Sequence, residues 1–108
     1  MSPWLLLVSA IVFEVSGTTA MKLSDGFTKS APSVAMFVFY VLSFVALTYA
    51  IKHIDLAVAY AIWSGLGTAL VAGVAVVHFA EPFTFAKAAS IAVIVCGIVG
   101  LHLSGGTN

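Results

Sequence analysis

Four long apolar runs, separated by short polar segments, organise this chain. The first extends from Trp4 to Met21 and is interrupted only by Glu14. A polar stretch follows, with Lys22, Ser24, Asp25, Gly26, Thr28, Lys29, Ser30 and Pro32. The second run covers Ser33 to Ile51, after which Lys52, His53 and Asp55 mark a short turn. The third runs from Leu56 to about Phe79 and is closed by Glu81-Pro82, because proline cannot continue a helix well. The fourth covers about Phe85 to Leu103, with Lys87 near its start, and leaves a tail from Ser104 to Asn108 that is expected to fray. Each run holds roughly 18–24 residues, enough at ~1.5 Å per residue to cross a hydrocarbon core of ~30 Å. Backbone groups in lipid must satisfy one another, so the runs are predicted to be helices. The expected fold is an all-α integral membrane protein. It has one domain over residues 1–108 with transmembrane spans at about 4–21, 33–51, 56–79 and 85–103. Short connections make consecutive helices antiparallel and put both termini on one side.

Composition strengthens the membrane reading. Hydrophobic residues make up 62% and charged residues 7% of the chain, against about 45–50% and about 25% in soluble domains. So few charges cannot cover a water-facing surface, and no soluble domain or cleavable leader is expected. The four Lys, absence of Arg, two Asp and two Glu sum to zero formal charge. Without a basic patch, nucleic acid is not an expected partner. Cys96 is the single cysteine, so thiol metal sites and an intrachain disulfide are excluded. His53, His78 and His102 lie far apart without metal-ligand spacing and read as interfacial residues. No nucleophile–base pair or cofactor motif is present, so neither an enzyme nor a bound cofactor is expected. The lysines give little bias between the two faces. One side would carry Lys22, Lys29 and Lys87, the other Lys52 and the terminal amine. Either that bias fixes one orientation, or the chain inserts both ways and pairs as an antiparallel dimer.

Glu14 lies ten residues after Trp4, which places it ~15 Å into the bilayer, near its middle. A charge there costs about 2.5–3.5 kcal/mol on insertion scales. Lys22, the nearest cation on the same helix, lies eight residues away at the boundary. Low dielectric penalises a bare carboxylate, which takes a proton or pairs with a cation. Mutually exclusive binding of the two at one group couples their movements, provided access changes mainly when one is bound.

Helical spacing aligns Leu7, Ala10, Ile11, Glu14, Gly17 and Thr18 on one face. Thr18 can donate a hydrogen bond to the carboxylate, and Ala10 and Gly17 either leave room beside it or form a helix-packing stripe. On the third run, Tyr60, Trp63 and Gly67 share a face. Aromatic faces attract quaternary ammonium and similar cations, although Tyr60 also suits an interfacial belt. Gly65 and Gly67 are expected to weaken the helix and permit a hinge. Tyr40 and Ser43 on the second run are either partners for the site or ordinary interhelical hydrogen-bonding groups. Ser90, Gly97 and Gly100 on the fourth run suit close contact with a second chain, since four helices enclose little volume on their own.

Several segments together resemble the small multidrug resistance family of proton-coupled cation exporters, over essentially the whole chain. They are Phe13-Glu14-Val15-Ser16-Gly17-Thr18-Thr19-Ala20-Met21-Lys22, then Ser24-Asp25-Gly26-Phe27-Thr28, then Ala59-Tyr60-Ala61-Ile62-Trp63-Ser64-Gly65-Leu66-Gly67, with Glu81-Pro82 beyond. The resemblance implies an antiparallel, dual-topology homodimer in the bacterial cell (inner) membrane. Its two Glu14 residues would bind protons or substrate. Trp63, Tyr60, Tyr40, Ser43, Thr18 and an aromatic at position 4, here Trp4, would line the chamber. The last helix would hold the dimer through Gly97, with Ser90 standing where glycine is common. Ser16-Gly17-Thr18-Thr19 and Ser64 resemble the quaternary-ammonium branch, whose members export hydrophobic cations as antiseptic and multidrug efflux antiporters. The alternatives are a guanidinium or other small-cation exporter of the same fold, one subunit of a heterodimeric polyamine exporter, or a non-transporting membrane assembly protein.

Overall fold

A computed structural model describes residues 2–104; residues 105–108, most of the tail expected to fray, lie outside the described residues. Among the described residues the chain forms four α-helices and no strand: α1 (Pro3–Leu23), α2 (Ser30–Ala50), α3 (Leu56–His78) and α4 (Phe85–Leu103). Their 19–23 residues give lengths of about 28–35 Å. All four are long and apolar enough to cross a membrane.

Local chemistry sets the helix ends. Ser2 caps α1, its side chain accepting from the Trp4 and Leu5 amides, and Pro3 occupies the first turn, where a missing N–H costs nothing. At the other end Ser24 is buried; its hydroxyl donates to the Met21 carbonyl (2.7 Å) and accepts from the Phe27 amide (3.2 Å). The turn then passes through Asp25, Gly26 and Phe27, all at positive φ. α2 begins at Ser30, earlier than the apolar pattern predicts, and Pro32 lies inside its first turn. Proline is tolerated there because the first amides of a helix have no intrahelical partner. α3 ends before Glu81-Pro82: Ala80 takes φ 55° and the Glu81 amide folds back onto the Ala75 carbonyl (3.0 Å). Thr84 caps α4 by accepting from the Lys87 amide.

The helices pack unequally. α1 lies closely along α2, α3 packs on α1, and α4 rests mainly on α3. The core joins Leu7 and Ile11 of α1, Ala50 of α2, Ile54 of the following turn, and Val58, Ala59 and Ile62 of α3. No residue of α4 is buried. Large apolar side chains such as Phe37, Phe44, Val77, Phe85 and Val93 are exposed over the outer surface. In water such a surface would drive association, and in a bilayer it meets lipid.

Candidate functional site

α1, α3 and α4 line a partly open cavity of about 820 Å³, whose walls include Glu14 and Thr18, Tyr60, Trp63, Ser64 and Gly67, and Ser90, Ile91 and Ile94. It continues to the α3–α4 turn, where Glu81, Phe83 and Lys87 complete its wall. Lys87 is held there by its Nζ, which donates to the Pro82 carbonyl at 2.8 Å. The spacing of α3 explains the lining: Tyr60, Ser64, Gly67, Val71 and Ala75 follow one helical stripe.

Glu14 stands on the inner wall. The Thr18 hydroxyl, one turn along α1, is 3.1 Å from Glu14 Oε1 and 2.8 Å from the Tyr40 hydroxyl of α2. A single threonine proton can serve only one of these contacts. With Thr18 donating to the carboxylate, Tyr40 donates to Thr18, and a relay runs from α2 to α1. The other carboxylate oxygen, Oε2, is buried without a hydrogen-bond partner, as is Trp63 Nε1. Unpaired buried polar atoms are uncommon, and these two lie at the same cavity. The Trp63 ring stands edge-on to Tyr60 (5.5 Å) and Phe44 (5.9 Å). Tyr60 itself is exposed, leaving an aromatic surface on the cavity wall.

The residues expected to surround the carboxylate separate into three groups. Glu14, Thr18, Tyr60, Trp63 and Gly67 meet at the cavity, with Tyr40 one hydrogen bond behind. Leu7, Ala10 and Ile11 are fully buried in helix packing and do not line it. Ser43, weighed above as a partner for the carboxylate, instead donates to the Ala10 carbonyl at 2.7 Å and pins α2 to α1. Gly17 leaves room for the Tyr40 ring, not for a ligand: a Cβ there would lie 2.7 Å from that ring. Trp4 is set apart, edge-on to His102 at the far end of α4 (5.1 Å). Gly65 and Gly67 lie in an unbroken α3. A Cβ at Gly65 would press on Ile98 and Ile94 of α4, which makes that glycine a point of close helix contact. Ser90 lines the cavity, whereas Gly97 has open space beside it. Ser64, Thr68, Glu81 and Lys87 also line the cavity; Ser64 drew attention in the sequence only as a branch marker, and Glu81 and Lys87 only as run boundaries. The first two continue the stripe of Tyr60 and Gly67; the last two are placed by the α3–α4 turn.

Residues 2–94 match the family model described as Small Multidrug Resistance protein. The chain belongs to the small multidrug resistance family. It is 47% identical over 100 residues to Uncharacterized membrane protein YvaE of Bacillus subtilis, spanning 93% of this chain and 84% of that protein. It is 41% identical over 103 residues to Quaternary ammonium compound-resistance protein QacE of Escherichia coli, spanning 95% and 94%. Nicotine metabolites export pump subunit NepA of Paenarthrobacter nicotinovorans is 40% identical over 103 residues, spanning 95% and 89%. Membership makes this chain a membrane transporter and not an enzyme. With its four spans it is a multi-pass protein of the bacterial cell (inner) membrane.

Proposed function

We propose that this chain is a proton-coupled antiporter that exports quaternary ammonium and other hydrophobic cations, with proton and substrate competing for Glu14. The observation that carries this reading is the pairing of one intramembrane carboxylate with an aromatic wall in a single cavity. The carboxylate supplies charge in a low-dielectric setting, where an ion pair is far stronger than in water. Tyr60 and Trp63 supply aromatic rings, whose faces attract a bulky cation with no hydrogen-bond donors of its own. A proton arriving at Glu14 removes the charge that holds the cation, and a cation arriving displaces the proton. Exchange becomes export if the cavity opens to opposite sides in turn. The similarity to a quaternary ammonium resistance protein supports the substrate class.

The working unit in this proposal is an antiparallel homodimer. No residue of α4 is fully buried within the chain, so the part of its surface turned away from α3 is available to a second copy, with Ser90 and Gly97 at the contact. A second copy would also help close the cavity and would bring two Glu14 residues to one chamber.

Proteoliposome uptake of a quaternary ammonium cation tests the reading. Uptake driven by a pH gradient and lost in Glu14→Gln is the expected result. Uptake unchanged in the variant would refute it. A second reading is favoured by the similarity to a protein named as a pump subunit: the chain would work with a different partner chain. In that case the purified chain alone would fail to transport, and co-expression with a neighbouring family member would restore activity.

A further inference from the structure

The two oxygens of Glu14 have different surroundings. Oε1 is held by Thr18, whereas Oε2 is buried against α3. The residue facing it there is Gly67. A Cβ built on Gly67 would stand 3.2 Å from Oε2 and 3.9 Å from the carboxyl carbon, with no other atom outside its own helix turn within 4 Å. Among the described residues, the only non-local obstacle to a side chain at 67 is therefore the carboxylate. Gly65, two residues earlier, meets Ile98 and Ile94 of α4 as its nearest neighbours. Two glycines on one helix thus have two separate reasons to lack a side chain.

We propose that Gly67 is a positioning residue for Glu14: its missing side chain is the slot on α3 that seats Oε2 and fixes where the carboxylate stands in the cavity. The geometric part stands on the distances alone; the consequence for cation binding rests on the exchange role given to Glu14 above. A carbon–oxygen contact of 3.2 Å is shorter than the ~3.3–3.6 Å of a favourable C–H···O approach, so the carboxylate would have to give by a few tenths of an ångström. Its Thr18 tether opposes that movement, and the gain of a methyl displaces the charge from the aromatic wall. Gly67→Ala therefore lowers affinity for a hydrophobic cation about tenfold, or ~1.4 kcal/mol. Folding is not at risk from helix propensity, since Ala is the better helix former. A glycine acting as a hinge predicts a different split, with turnover changed and equilibrium affinity kept. Shortening the carboxylate by one methylene, in Glu14→Asp, withdraws it from the slot and should relieve the effect of the methyl.

The test uses the full chain in detergent and two readouts on wild type, Gly67→Ala, Glu14→Asp and the double variant. The first, tetraphenylphosphonium binding at alkaline pH, should fall about tenfold in Gly67→Ala. Adding Gly67→Ala to Glu14→Asp should cause little further loss. The second is the thermal midpoint without any cation, for which the two substitutions should be non-additive. Wild-type affinity in Gly67→Ala, or additive effects in either cycle, would overturn the proposal. If wild type bound no cation, the antiporter reading would fail on that result. The cation-free cycle would still decide the seat: non-additivity would uphold it and additivity would remove it.

Discussion

Gly17→Ala is a demanding test of how α1 meets α2. A Cβ at position 17 would lie 2.7 and 2.8 Å from two ring carbons of Tyr40, and 3.4 Å from Phe39 Cβ. Carbon atoms rest at about 3.5–4.0 Å, so the ring must retreat by close to an ångström or the helices must part. Overpacking of this kind costs about 1–3 kcal/mol. The same retreat carries the Tyr40 hydroxyl away from Thr18, now 2.8 Å distant, and forfeits a further ~0.5–1.5 kcal/mol. Gly73 is the internal control, because nothing lies within 4 Å of a Cβ there. Gly73→Ala should be neutral or stabilising by up to ~1 kcal/mol. Reversible unfolding in mixed detergent micelles, followed by helicity, measures both. Tyr40→Phe should not rescue Gly17→Ala, since phenylalanine keeps the clashing ring carbons. Tyr40→Ala should, so that the double variant is scarcely less stable than Tyr40→Ala alone. The reasoning is refuted if Gly17→Ala is as stable as wild type, if Gly73→Ala is equally damaging, or if Tyr40→Phe restores stability.

Other predictions follow from the same contacts. Thr18→Val keeps the shape of the side chain but breaks the link between Glu14 and Tyr40. Losing a hydrogen bond of ~1 kcal/mol should weaken tetraphenylphosphonium binding about fivefold by isothermal calorimetry, and Tyr40→Phe should add little in that background. Ser43→Ala should lower unfolding stability by ~0.6 kcal/mol, and by no more than ~1.7 kcal/mol, through loss of the bond to Ala10. Its cation affinity should match wild type, and a large loss would show that Ser43 reaches the ligand.

Element number and type were legible in the sequence because lipid imposes a length and an apolar character that run continuously through each span. The start of α2 was less so. Pro32 reads as punctuation, but within a first turn it replaces an amide that would be unpaired anyway. At the site, Glu14 and Thr18 stood out because one is expensive in lipid and the other lies one turn away. Helical spacing alone could not divide the glutamate-bearing face of α1. Leu7, Ala10, Ile11 and Gly17 share that face with Glu14, yet α2 and α3 cover them, and only packing reveals which neighbour takes which residue. Ser43 illustrates the same gap, since a buried hydroxyl can satisfy itself on a backbone carbonyl as well as on a carboxylate. The glycines of α3 look like a flexible pair in sequence. Their different obstacles, isoleucines for Gly65 and a carboxylate for Gly67, appear only in three dimensions.

The central claim, that one carboxylate serves proton and cation alternately, is tested most directly by counting protons released when the cation binds. Tetraphenylphosphonium would be added to the purified full chain in weakly buffered detergent solution across a range of pH. The account predicts proton release from wild type at pH values where Glu14 is still protonated, affinity that rises as pH rises, and neither effect in Glu14→Gln. Tight binding that is independent of pH and releases no proton would contradict it.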